Sequence, residues 1–339
     1  MYLLINNKYF ISFIKLLMSL ETNKIIERSP NEDYQISNLK QEIESKNAPN
    51  IEAKFELLNN ANMPSGINRY RIVKNTVNWN KISWLDIMGN FFECKQWTVD
   101  FKLTDSLKID DYKNWSTGNN NTAIIMPLPF VSNRKTEWIT IVNKIKSSAE
   151  TKNYRWDNAI VWFKEWRSWI IKVNIVWSNW TIEKKNQTIN NPKITAYNTS
   201  EQKLLDNILD PKNWYNVCQQ MSIMDGWKKS CNFVGQSEES QMEWWGRRYR
   251  FYVETYDWTT GVVDFKEDIT INQAILIMQQ NGIKNAVYAD IIAYNMYFWD
   301  KDGNFYTREE GNDWESSYEK IPWTNTILPN KNSIIIKWK

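Results

Sequence analysis

Two stretches of the chain alternate apolar and polar residues so regularly that they suit one face of a sheet. Across residues 97–104, Trp97, Val99, Phe101 and Leu103 fall on one side, and Thr98, Asp100, Lys102 and Thr104 on the other. Trp169, Ile171, Val173, Ile175 and Trp177 repeat the pattern, with Lys172, Asn174 and Ser178 opposite. Successive side chains of a strand point to opposite faces, so this period of two predicts half-buried antiparallel strands with each apolar set turned inward. Just upstream, Trp162, Trp166 and Trp169 have a spacing that also suits one face of a helix. Val, Ile, Trp and Phe dominate there, and such residues favour the pleat, so strand, turn, strand is the preferred reading.

The rest of the chain fits a β-dominated α+β fold with antiparallel sheets, an N-terminal helical segment and one C-terminal helix packed on a sheet. Residues 1–65 are expected to be a polar helical segment, with short helices at 38–44 and 51–58. Residues 66–190 read as a Trp-rich antiparallel β domain. In it, Pro127 and Pro129 confine 126–130 to an edge or loop. Residues 191–235 read as a linker carrying a helix at 201–209, after an Asn- and Thr-rich stretch at 186–200. Residues 236–339 read as a C-terminal α+β domain. There, 249–258 is expected as an edge strand with Tyr249, Phe251 and Val253 inward and Arg248 and Arg250 outward. Thr270 with Gln273 three residues on has the capping-box pattern of a helix start, and Gly282 suits its end. Asp302 and Gly303 signal a hairpin turn, and 333–338 a last strand.

The chemistry open to this chain is narrowed by one absence: its 339 residues include no histidine. Ser–His and Cys–His nucleophilic systems and histidine metal sites are therefore excluded. Cys94, Cys218 and Cys231 are odd in number and suggest buried thiols rather than a disulfide framework. No phosphate-binding glycine loop is present. The formal charge of +3 is too small to imply a nucleic-acid surface. No cofactor and no metal is expected. Asp300 to Asn304 mimics a calcium loop, but Gly303 is fourth and Gly311 twelfth, where the motif needs Gly sixth and Glu twelfth.

Two constellations remain. Arg247, Arg248, Tyr249 and Arg250 follow Glu239 and Glu243. A tyrosine attacking a phosphodiester needs cations to stabilise the phosphorane and carboxylates to hold a metal, so this cluster is a candidate DNA-nicking site. The competing reading is a half-buried strand with a solvated charged face. The second constellation is aromatic. Trp244 with Trp245, and Trp177 with Trp180, are candidate stacking platforms for a ligand, since indoles combine large apolar area with one donor. With 20 Trp against 10 Gly, codon usage is a competing explanation: an AT-rich gene that reads UGA as Trp would carry such an excess.

Residues 285–295, continuing through Tyr297, Phe298, Trp299 and Asp300, resemble the adsorption-type proteins of plectroviruses, filamentous phages of wall-less bacteria that read UGA as Trp. The Trp-containing stretch 138–145 and the tetrapeptide Tyr154, Arg155, Trp156, Asp157 share the likeness. It covers about the last third of the chain and transfers no catalytic residue. It implies a non-catalytic surface protein that binds a host component or other virion proteins, at the virion or host cell surface. Such proteins usually carry a secretion signal and a C-terminal anchor. The apolar stretch at 9–20 is too short to span a bilayer and lacks the flanks of a signal peptide, and no other segment reads as a span. The alternatives are the tyrosine-dependent nicking protein and a purely structural protein without a small ligand.

Overall fold

The computed structural model describes residues 53–58, 62–74, 87–104, 121–128, 131–132, 135–136, 140–142, 145–146, 158–176, 193–197, 199–213, 215–230, 249–257, 259–267, 269–289, 296–307, 319–320 and 333–338. They belong to one compact unit, Pro49–Lys339. In chain order the strands begin with β1 (Ala53–Leu57), β2 (Ile67–Lys74), β3 (Ile87–Cys94), β4 (Val99–Thr104), β5 (Thr122–Pro127), β6 (Val131–Ser132) and β7 (Lys135–Thr136). Next come β8 (Thr140–Val142), β9 (Ile145–Lys146), β10 (Asn158–Lys164), β11 (Arg167–Val176) and β12 (Lys193–Ala196), then the helix α1 (Thr199–Leu209). They are followed by β13 (Asn216–Asp225), β14 (Lys228–Lys229), β15 (Arg250–Thr255), β16 (Thr260–Phe265), α2 (Ile271–Gln280) and β17 (Ile283–Ala289). The last are β18 (Tyr297–Trp299), β19 (Phe305–Thr307), β20 (Glu319–Lys320) and β21 (Ser333–Trp338).

The fold is β-dominated and antiparallel. Among the described residues the main path of the largest sheet runs β1-β2-β3-β16-β15-β17-β13-β10-β11-β12, with β8, β9 and β14 attached alongside. A second sheet runs β20-β19-β18-β5-β21-β4, and β6 pairs with β7. Strands from 66–190 and 236–339 interleave in both large sheets: β3 pairs with β16, and β21 lies between β4 and β5. The boundary expected at 191–235 therefore does not separate two domains.

Along the central strands nearly every residue is buried, and successive side chains alternate between two cores. Phe92, Tyr252, Val262 and Val287 face a core shared with Phe101, Ile124, Phe163 and Ile336. Their neighbours Phe91, Phe251, Val263 and Tyr288 face the other side, where Ala274, Ile277 and Met278 of α2 cover them. A third cluster joins Trp162, Ile171 and Val217 to Leu205 and Ile208 of α1. Central strands covered on both faces need glycine where backbones crowd. A Cβ on Gly261 would lie against the Phe92 carbonyl oxygen.

Several expectations hold residue by residue. Thr270 accepts from the Gln273 amide at 3.2 Å while Gln273 Oε1 accepts from the Thr270 amide at 2.8 Å, closing the capping box. Gly282 follows α2 with φ of +80°, a conformation that side chains rarely adopt. β21 spans the residues expected, and Gly303 turns the β18–β19 hairpin. Asp300 organises that turn, accepting from the amides of Asp302 and Asn304 at 3.0 and 2.8 Å and from the Tyr306 hydroxyl at 3.1 Å.

Other expectations are corrected. Residues 53–57 form a strand, not a helix. Ala53, Phe55 and Leu57 alternate with Lys54 and Glu56, and the helix end supplies the outer hydrogen bonds: the Phe55 amide donates to Asn281 Oδ1 at 2.7 Å, and Asn281 Nδ2 donates to the Ala53 carbonyl at 2.8 Å. β5 is central, between β18 and β21, with Pro127 as its last residue. Lys193–Ala196 inside the expected linker is an edge strand on β11. β15 is no edge strand; it lies between β16 and β17. Val99, Phe101 and Leu103 are buried as expected, but Trp97 falls in a turn before β4, with φ of +74° and 54% exposure. The short helix expected at 38–44 lies outside the described residues. No described helix is long and apolar enough to cross a membrane.

Candidate functional site

The tip of the β10–β11 hairpin carries a dense group of rings, from buried Trp162 to half-buried Trp166 and Trp169, with the exposed cations Lys164 and Arg167. The strands pair Trp162 with Trp169 and Lys164 with Arg167, joined through Glu165 and Trp166. Strand alternation puts all four paired residues on one face. The Trp162 and Trp169 rings stack at 4.4 Å with 22° between planes, as directly opposed residues can. Tyr215, just before β13, meets Trp162 edge-on at 5.2 Å. Lys164 Nζ sits 4.8 Å above the Tyr215 ring.

The turn between β3 and β4 docks beside this hairpin. The Phe101 amide donates to the Glu165 carbonyl at 2.7 Å, and Gln96 Nε2 donates to the Ser168 carbonyl at 3.1 Å. These bonds hold Trp97 next to Trp166, with centroids 5.7 Å apart. Arg167 Cζ lies 4.0 Å from the Trp97 centroid and 5.6 Å from that of Trp169. The result is a ledge in which guanidinium and ammonium groups rest on rings, an attraction worth about 0.5–1 kcal/mol each at exposed sites.

Arg167 and Lys164 are exposed and form no ion pair among the described residues. The one carboxylate within the hairpin tip, Glu165, is also exposed. Beneath the ledge, the buried indole Nε1 of Trp162 has no hydrogen-bond partner among the described residues. The arrangement supplies apolar ring surface and positive charge together.

The residues singled out in the sequence fare differently. Trp177, Trp180, Trp244, Trp245, Glu239, Glu243, Arg247 and Arg248 lie outside the described residues. Tyr249 is fully buried in the α2 core with Phe251 and Val253, so its ring is not open to a phosphodiester. Arg250, expected outward, is 3% exposed, and its Nε donates to Asp264 Oδ1 at 3.1 Å on the neighbouring strand. On the same sheet face, Arg69 Nε donates to Asn90 Oδ1 at 3.0 Å, and its guanidinium lies 5.2 Å from the Phe298 ring. Tyr249 thus lies in the core, as the strand alternation implies, and not open as the alternative nicking reading requires, while the neighbouring Arg250 is a buried cation paired with Asp264.

Several titratable groups are shifted, with burial the largest cause. The Cys94 and Cys218 thiols are buried and pushed well above their ordinary value, which makes them inert; Cys231 lies outside the described residues. Desolvation also raises the Glu254 carboxyl, against the hydrogen bond from Asn285 Nδ2 at 2.9 Å. Burial raises Glu201, helped by the charge of Asp225. Tyr70 is pushed up to about 12 by burial and by donating to Glu93 Oε2 at 2.9 Å. Among the described residues no three acidic or thiol groups converge as metal ligands.

The ledge was missed because Trp97, Trp166 and Arg167 carry no joint motif. The only local signal was the Trp162 to Trp169 spacing, read for secondary structure. No protein family and no curated protein matches the chain. Among solved structures it is similar to the zebrafish N-acetylglucosamine-1-phosphodiester α-N-acetylglucosaminidase catalytic domain, auto-inhibited by its pro-peptide. That match has 8% identity and a TM-score of 0.45, over 86% of this chain and 85% of that one. It is also similar to a hypothetical protein from Synechocystis, at 10% identity and a TM-score of 0.37, over 85% of this chain and 68% of that one.

Proposed function

We propose that the protein is a non-catalytic, adsorption-type surface protein of a phage or mobile element, binding a host component through its aromatic ledge. The observation that carries this reading is the stack of Arg167 on Trp97, a 54% exposed indole held out by a turn with positive φ. Exposed large aromatics and arginine are the residues on which binding energy concentrates at interfaces. The burial of Tyr249 and the inert thiols favour binding over covalent chemistry. The plectrovirus resemblance supplies the biological setting, a wall-less bacterial host.

The test is adhesion of the labelled full-length protein to wall-less bacterial cells, read by flow cytometry. Trp97→Ala and Arg167→Ala are expected to abolish most of the signal while leaving the circular dichroism unchanged. Adhesion equal to wild type in both variants would remove the ledge from the reading. Incubation with supercoiled DNA and a divalent metal is expected to yield no covalent adduct. An adduct lost on Tyr249→Phe would replace the adsorption reading with the nicking one.

A further inference from the structure

Resting on the ledge reading, we infer that the component bound there is an acidic polysaccharide, a hexose polymer bearing carboxylates. Arg167 and Lys164 are exposed cations with no ion pair among the described residues, so their positive charge is left for a partner. A planar guanidinium steadied on an indole is suited to bidentate recognition of a carboxylate, since little side-chain freedom is left to lose. Lys164, on the paired strand position and resting on Tyr215, provides a second, more compact charge beside it. Trp97 and Trp169 add apolar surface against which the C–H faces of hexose rings can pack.

Single-stranded nucleic acid is the other polymer that combines stacking with negative charge. It fits this surface less well. A phosphodiester chain carries one charge per nucleotide and is held by an extended cationic track. Among the described residues only Lys164 and Arg167 rest on the ledge's rings, with Glu165 between them in sequence, on a chain whose net charge is only +3.

The full-length protein would be titrated with polygalacturonate oligomers, with neutral dextran, and with an oligothymidylate. Binding of polygalacturonate alone is expected. Arg167→Gln and Lys164→Gln should each weaken it by roughly tenfold, the size of one charge-assisted hydrogen bond. Raising the salt concentration should weaken it further. Dextran bound as tightly as polygalacturonate, tighter binding of the oligothymidylate, or unaltered polygalacturonate affinity in Arg167→Gln would each overturn the inference. The cell assay separates its failure from that of the ledge itself. If adhesion depends on Trp97 but polygalacturonate is not bound, the glycan class falls and the ledge stands. If adhesion ignores Trp97→Ala, the ledge reading falls with it.

Discussion

The strand trio β16-β15-β17 and the β10–β11 hairpin tip both combine aromatic residues with arginine, and they use them in opposite ways. In the trio both faces are covered, one by the shared core and one by α2. Tyr249, Phe251 and Tyr252 are fully buried there, and Arg250 survives at 3% exposure because Asp264 lies opposite in register. At the hairpin tip the sheet ends, Arg167 has rings rather than a carboxylate beside it, and Trp97 is left in solvent. Position in the sheet, more than residue type, decides whether an aromatic–arginine cluster is core or contact surface.

The largest expected effect tests the buried side of this contrast. Asp264→Ala removes the carboxylate that accepts from the buried Arg250 guanidinium and should cost about 3–5 kcal/mol in urea unfolding. If the loss is below that of an ordinary surface change, Arg250 is not the buried structural cation described. Next, Ile277→Ala removes a fully buried side chain from the α2 face and should cost about 2–5 kcal/mol, depending on how far the cavity collapses. Thr270→Ala removes one half of the capping box and should cost about 1 kcal/mol by the same assay.

A pH dependence should accompany these. Burial raises the Glu254 carboxyl above its ordinary value of 4.5, so the folded state holds that proton more tightly than the unfolded chain does. The stability this contributes is complete below the unfolded value and is lost as pH rises through the folded one. Glu254→Gln should therefore flatten the decline in stability from about pH 4.5 upward, a range set by the ordinary glutamate value. An unchanged slope in urea midpoints would show that Glu254 is ionised without penalty. The smallest effect is expected at the ledge, where Trp97→Ala and Arg167→Ala should shift stability by no more than about 0.5 kcal/mol. A large destabilisation there would make the ledge a structural clamp between turns, and the contrast would collapse.

Local chemistry was enough to read part of this molecule. The cap at Thr270, the end of α2 at Gly282, the turn at Gly303 and the strand β21 each depend on a few adjacent residues, and the sequence names them. The alternation of Val99, Phe101 and Leu103 likewise set their common burial, and it failed at Trp97, two residues before the strand begins. At 53–57 the alternation is present, but the reading as a helix fails because the segment pairs with β2, while its outer edge bonds to Gln280 and Asn281, more than two hundred residues away.

What the sequence determined by itself, then, is the β-dominated class, the absence of histidine chemistry and the elements whose signals are short-range. Only the tertiary structure decided that β15 is central rather than an edge, that Arg250 meets Asp264, and that Trp97 meets Arg167. The physical reason is range. Helix caps and turns close hydrogen bonds within a few residues, whereas strand order and the docking of one turn on another arise from pairings between distant segments, which no local pattern specifies.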